Sequence, residues 1–171
     1  MWNYIVESIS YRIEFTGGSI KIFNRITNTL IKVFKDHNYL YTGSISPNEK
    51  EFFGLENGKH FYVYSLETLT LKKKITLPRG YEAIDVLGFY SEDASTISIP
   101  ASKYVYENEE QELGHYEHIL CRYSTNDYTL IEKITIPSLE PYHFLCLFML
   151  FFYKFLTIRF FPTFSINNWY I

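Results

Sequence analysis

Two histidines three positions apart, His115 and His118, stand among Glu107, Glu109, Glu110, Glu112 and Glu117. Two imidazoles and one carboxylate are enough to hold a zinc ion. The local backbone decides whether they can. On a helix, residues three apart converge on one face; on a strand they point to opposite faces. The sequence from His118 onward has strand character, so convergence is not expected. The stretch Pro100 to Gly114 reads as an exposed acidic loop with the histidines at its exit. His37, His60 and His143 occur singly and read as structural. The chain has no G-x-G-x-x-G, P-loop, G-x-S-x-G or C-x-x-C pattern. Gly17-Gly18 reads as a turn and not a phosphate cradle, because no helical pattern follows it. The acidic residues are scattered, and no nucleophile–base pair is legible. No catalytic residue, cofactor-binding residue or metal ligand is therefore assigned, and no cofactor is implied.

Such side chains have to be positioned by a core, and the composition provides for one. The 171 residues are 47% hydrophobic and 20% charged, which excludes a disordered chain and suits one ordinary domain. The net charge of −3 lacks the basic excess of a dedicated nucleic-acid binder. Aromatic residues reach 19%, with sixteen Tyr and fifteen Phe, and rings suit a pleated surface. Cys121 and Cys146 are too few for a disulfide-built scaffold and read as small buried hydrophobes. The start of the chain, MWNYIVESISYRIEF, lacks the basic and apolar regions of a signal peptide. A reducing, cytoplasmic setting is the expectation.

A repeat organises the chain. Tyr64 to Pro78 and Tyr123 to Pro137, at an offset of 59, are identical at eight of fifteen positions. Phe23 to Phe34 matches the first of these at an offset of 41, through Thr27, Thr29, Leu30 and Lys32, and Gly17 falls opposite Gly58. Three copies of one unit follow, with eighteen extra residues in the third.

Each unit reads as four short strands. In the middle copy these are Tyr39–Ile45, Glu51–Glu56, Lys59–Ser65 and Leu69–Leu77, with Pro78 as the stop. Pro47-Asn48-Glu49-Lys50 reads as the first turn, Asn57-Gly58 as a two-residue hairpin turn and Leu66-Glu67-Thr68 as the third connection. In the first copy a strand is read over Ser10–Thr16, with only about nine residues before it. The third strand carries Phe61 and Val63 on one face, Tyr62 and Tyr64 on the other. A sheet with one wet face would alternate apolar and polar residues, so this strand is expected to be covered on both sides. The fourth strand, with Lys72-Lys73-Lys74, reads as a solvated outer edge in preference to an anion-binding strip.

The run Ile45-Ser46-Pro47-Asn48-Glu49-Lys50, with Gly58-Lys59-His60-Phe61-Tyr62-Val63-Tyr64-Ser65, resembles a blade of a WD-repeat or YVTN-type β-propeller. That pattern places a Ser-Pro-Asp-Gly-Lys turn and a Gly-Lys pair around an inner strand, and blades recur every 40–45 residues or so. The resemblance covers about residues 10–137. Tyr64-Ser65, Tyr123-Ser124 and Phe23-Asn24 stand where the Trp-Asp signature would be, and no Gly-His opens a blade, so the hydrogen-bond network of WD repeats is not carried over. The resemblance implies an all-β fold, a partial propeller of four-stranded antiparallel blades. Closed rings use four to eight blades, so three read as a piece of a larger ring or a part completed by another chain.

Residues 1–141 are assigned to the blades and 142–171 to an apolar tail. Phe144–Phe161 spans eighteen residues interrupted by Lys154 and Arg159. It reads as a tail anchor, as a cover for the open propeller edge, or as out-of-frame sequence, the last two being preferred over the first. The expected function is that of a non-catalytic binding or scaffold module offering propeller loops to a protein partner. The alternatives are a segment of a propeller enzyme and a scaffold tethered to a membrane by the tail. The insertion in the third copy is the expected contact element.

Overall fold

The computed structural model describes residues 4–16, 18–35, 40–56, 58–83, 88–108 and 113–136. The tail 142–171 with Cys146, the 141/142 boundary, His37, His143, Asn57, Glu109, Glu110 and Glu112 lie outside them. The described residues form strands and turns with no helix, so none is long and apolar enough to cross a membrane. Blade 1 consists of β1 (Tyr4–Glu7), β2 (Tyr11–Phe15), β3 (Ile20–Asn24) and β4 (Leu30–Phe34). Blade 2 consists of β5 (Leu40–Ile45), β6 (Glu51–Glu56), β7 (His60–Ser65) and β8 (Thr70–Thr76). Blade 3 holds β9 (Glu82–Ala83), β10 (Phe89–Tyr90), β11 (Thr96–Asn108), β12 (Leu113–Ser124) and β13 (Leu130–Ile136). Each sheet is an antiparallel meander in chain order, and β9 and β10 share the inner side of β11. This is a partial propeller. The first blade already has all four strands, because Tyr4–Glu7 pairs with Arg12–Phe15 as its innermost strand.

The sequence repeat is a repeat of backbone geometry. A bulge interrupts the third ladder at Ile22/Phe23, Val63/Tyr64 and Arg122/Tyr123. A residue in the left-handed region follows at Asn28, Leu69 and Tyr128, with φ of 54°, 52° and 62°. None of the three is glycine, so the surrounding turn over-determines a conformation that costs an L-residue free energy. The N–H groups of Arg25, Leu66 and Thr125 donate to the carbonyls of Ser10, Lys50 and Ser95, all at 2.9 Å. Thr27–Thr29 and Thr68–Thr70 share hydroxyl hydrogen bonds of 2.8 Å, and Thr129 donates to Asp127 at 2.8 Å in the same place.

The first turns of blades 2 and 3 are also alike. The N–H of Ser46 donates to Glu51 O (2.9 Å) and that of Ser91 to Thr96 O (3.0 Å). Asn48 accepts the Lys50 N–H, and Asp93 accepts the N–H and hydroxyl of Ser95. Hydrogen bonds from Ser91 and Ser95 hold the Asp93 carboxyl down at about 2. The second turn of blade 2 differs from expectation. Leu55 pairs with Phe61, leaving five residues between them, so the two-residue hairpin expected at Asn57-Gly58 is not formed. Gly58 sits at φ 143°, and its carbonyl is engaged by the Ala83 N–H at 2.7 Å, which ties the loop to the start of blade 3.

Blades pack face to face, and β6 and β7 are buried on both sides as the sequence predicts. Phe52 and Tyr64 join Ile13, Phe15, Ile20 and Ile22 of blade 1 in one core. Phe53, Phe61 and Val63 join Ile97, Ile99, Ile119 and Tyr123 of blade 3 in the other. Phe52 and Tyr64 stack at 4.8 Å and 11°, while Phe61 meets Tyr123 edge-on at 5.1 Å. The blades approach closely because glycine lies beneath the inserted rings. A Cβ on Gly43 would lie 2.3 Å from Phe15 Cζ and 2.2 Å from Phe53 O, and one on Gly88 would lie 2.9 Å from Phe53 Cζ. The outer strand β8 is exposed over Thr70–Lys74, as expected of an edge rich in lysine.

Gly43→Ala is expected to lower the unfolding free energy by about 1–3 kcal/mol, because both a backbone oxygen and a core ring must shift. Gly18→Ala, with nothing within 4 Å of the added carbon, should change it by less than about 0.5 kcal/mol. Urea midpoints followed by tyrosine fluorescence separate the two, and equal midpoints would show that the ring does not depend on that gap.

Candidate partner-binding surface

The third blade departs from the other two in one element. Its turn matches that of blade 2 at an offset of 45 (Ser46/Ser91), and its outer half matches at 59 (Tyr64/Tyr123). Fourteen of the eighteen extra residues therefore fall in the β11–β12 hairpin. They do not form the loop expected over Pro100–Gly114. They lengthen two strands, which stay paired from Thr96↔Ser124 out to Asn108↔Leu113. Alternating β-branched and aromatic residues, Val105 between Tyr104 and Tyr106, carry the pleat outward.

The blade supports only the base of this ribbon. On the inner side β9 reaches β11 as far as Ser102, and on the outer side β13 reaches β12 only from His118. Beyond these points Lys103–Asn108 and Leu113–Glu117 pair with each other alone among the described residues. A buttress comes from Tyr81, whose hydroxyl donates to Glu117 at 3.0 Å, and from Gly80, where an added Cβ would meet the Lys103 stem at 3.2 Å.

The two faces of the ribbon differ. One carries Lys103, Val105, His115 and Glu117; there His115 Nδ1 lies 2.9 Å from Glu107, an exposed pair of small energetic weight. The other carries Tyr104, Tyr106, Tyr116 and His118. Tyr104 meets Tyr106 at 4.8 Å and Tyr116 at 5.0 Å, both edge-on, and Tyr116 stacks with His118 at 6.1 Å. The Tyr104 ring also covers Gly114, where a Cβ would come within 2.9 Å of it. Tyr106 and Tyr116 remain 58% and 55% exposed, more than half of each ring facing solvent. This aromatic row lies on the face of blade 3 turned away from blade 2, since Ile97, Ile99 and Ala101 point the opposite way into the core.

The two histidines fall on opposite faces, as strand geometry requires. Among the described residues no group of three His, Cys, Asp or Glu is placed to hold a metal. Partial burial pulls the His118 imidazole below its usual pKa. Cys121 is free, fully buried in the blade 2–blade 3 core and pushed up by that burial. A cleft of about 420 Å³ lies between blades 1 and 2, lined by Val6, Ser8, Ser44, Pro47 and Glu49. Both glutamates that line it are engaged within the fold: Glu49 accepts the Ser10 N–H at 2.9 Å and the Ser10 hydroxyl at 2.7 Å, and Glu7 pairs with Arg25 at 3.6 Å.

A buried carboxylate anchors the ribbon-bearing blade to blade 2. Glu51, 6% exposed, takes Lys72 Nζ at 2.6 Å and the Tyr128 hydroxyl at 2.7 Å on the same oxygen. Lys72 also lies over the Tyr128 ring at 5.2 Å. Burial works against the Lys72 charge, but its bonds to Glu51 and Tyr128 outweigh burial and raise its pKa. Burial, reinforced by the neighbouring Glu51 charge, keeps the Tyr90 hydroxyl protonated. Truncating Lys72 or Tyr128 would leave the buried Glu51 carboxylate short of a partner. The repeat pattern did not single out Glu51, because its burial arises only when blade 3 covers it.

No family model matches the chain, and no curated protein does. Among solved structures it is similar to the hydrazine synthase of Kuenenia stuttgartiensis, with a TM-score of 0.56 and 14% identity over 74% of this chain and 34% of that one. It is also similar to the tricorn protease, with a TM-score of 0.57 and 14% identity over 74% of this chain and 12% of that one. The chain thus spans about a third and about an eighth of these proteins, and the likeness is one of fold.

His118 supplies a pH test. Its folded pKa lies below the unfolded value near 6.5, so its contribution to stability is complete above pH 6.5 and is lost as pH falls through the folded pKa. The carboxylates that the fold holds down, Glu49, Asp93 and Asp127, begin to cost stability only near pH 4 and below. Stability should therefore decline between pH 6.5 and 5, and His118→Gln should flatten that slope. Urea midpoints at three pH values measure it; an unchanged slope in the variant assigns the decline elsewhere.

Proposed function

We propose that this propeller segment is a non-catalytic, cytoplasmic binding module, of the irregular WD or YVTN kind, that recognises a protein partner through the β11–β12 ribbon. The observation that carries the reading is the difference between blades. Three blades repeat bulge, turn and core, and only the third extends a hairpin that the stack does not need for its own burial. Rigid sheets holding one projecting element are a common way to present a recognition surface. The exposed tyrosines suit it, since each offers a large apolar ring with a polar tip at little conformational cost. A free, buried Cys121 agrees with a reducing compartment.

The double substitution Tyr106→Ser/Tyr116→Ser removes two exposed rings and should leave the thermal midpoint within about 3 °C of the parent. With a photo-crosslinking residue at 113, the parent should yield a discrete protein adduct in cells that the double variant loses. A crosslinker at 71, on the outer strand of blade 2, should yield none. Equal adducts from both sites, or from parent and variant alike, would discard the ribbon as the recognition surface.

A further inference from the structure

We infer that a second copy of this chain docks on the inner edge of the β11–β12 ribbon, where Lys103-Tyr104-Val105-Tyr106-Glu107 pairs antiparallel with the same five residues. The contact uses the edge of the ribbon and not its tyrosine face, and so is separate from recognition of another protein by that face. An edge strand is a template for one more strand. β9 follows the inner side of β11 only as far as Ser102, and past that point no described strand lies on this edge. Which strand suits it is set by the residues that would come to lie opposite.

Two identical strands related by a two-fold axis pair antiparallel, with one residue opposite its own copy. With Val105 at the axis, Tyr104 of each copy lies opposite Tyr106 of the other, and Lys103 opposite Glu107. The segment is therefore complementary to itself, since ring meets ring and cation meets anion, twice each. Opposed residues share a face, so the charges meet on the Val105 face and the rings on the other. Within the chain these charges are not consumed. Lys103 forms no ion pair among the described residues, and its cross-strand neighbour Glu117 takes the Tyr81 hydroxyl instead. The Lys103 stem leans to the side of β9, where an added Cβ on Gly80 would meet it at 3.2 Å. Glu107 sits at the bulge between Tyr106 and Asn108, without an opposite residue on β12, and gives one oxygen to His115.

The outer strands of the three blades are edges too, and each is guarded against its own copy. Centred in the same way, β8 sets Lys73 against Lys73 and Lys72 against Lys74. In β4 the central residue is Lys32, and in β13 it is Lys133, so each again meets itself. Like charges directly opposite are destabilising, and lysine on an edge blocks pairing for that reason. The ribbon segment differs from all three in having an uncharged centre and opposite charges at its ends. Five residues make a small interface, which corresponds to a concentration-dependent dimer with a Kd of about 10–100 µM.

The test is sedimentation equilibrium of the full chain between about 5 and 500 µM, a range that brackets that Kd. The parent should dimerise, with a Kd that rises about threefold to tenfold between about 50 and 500 mM salt. Lys103→Glu and Glu107→Lys each place like charges opposite and should each raise the Kd at least about tenfold with the thermal midpoint unchanged. The double variant Lys103→Glu/Glu107→Lys restores opposite charges at both ends, and so does an equimolar mixture of the two single variants. Both should return to within about threefold of the parent. A parent that stays monomeric throughout, or a dimer indifferent to both single substitutions, would overturn the inference. Failure of the double variant or of the mixture to recover, with midpoints intact, would overturn it as well, because the two residues would then not face each other. A dimer lost in Tyr116→Ala but kept in both charge variants would move the contact to the tyrosine face and overturn the edge pairing.

Discussion

Everything else in the fold depends on sheets that are apolar on front and back. A four-stranded antiparallel sheet alone buries one face at most. Here β6 sends Phe52 towards blade 1 and Phe53 towards blade 3, and β7 sends Tyr64 and Val63 the same two ways. Each such side chain, fully buried, contributes about 1.5–3 kcal/mol, so blade 2 draws stability from both neighbours. The rings need depth as well as cover, and the glycines at 43 and 88 supply it. Removing one blade would expose half of both surfaces at the junction, so stability is shared along the stack in the manner of repeat proteins.

Polar ties then set how the stacked sheets meet. Glu49 reaches back to Ser10 from blade 2 to blade 1, and Glu51 reaches Tyr128 from blade 2 to blade 3. Both carboxylates come from the same short stretch that begins the second strand of the middle blade. Hydrophobic contact is non-directional, and these bonds give it a register. The ribbon inherits that register, because its base, Thr96–Ser102 with His118–Ser124, is part of the sheet that Glu51 holds.

The strands of the middle copy were legible to within a residue or so. Alternation of Phe61, Val63 and Tyr64, the Ser46-Pro47-Asn48 turn and the Lys72–Lys74 edge are local patterns, and local patterns have local causes. The insertion was less legible. Glutamates and asparagine between Glu107 and Glu112 look like loop sequence, and the strands flanking them are held together by cross-strand pairs, such as Tyr104 with Tyr116, that lie twelve residues apart. Single-residue propensity does not weigh such pairs. The connection between β6 and β7 is also set by distant partners that a dipeptide pattern does not weigh: Leu55 pairs with Phe61, and the Gly58 carbonyl is engaged by Ala83.

By itself the sequence determined that there are three copies of one unit, that each is built of short strands, and that the middle one is covered on both sides. Those properties follow from side-chain chemistry and period, which are written residue by residue. Only the tertiary structure decided that the extra residues stand out as a paired ribbon, that the two histidines face apart and that Tyr104, Tyr106 and Tyr116 share one face. It also decided that Glu51 is a buried link and not a surface charge. Each of these depends on which distant strand lies alongside, and a chain of alternating apolar residues is compatible with many partners until the blades close on one another.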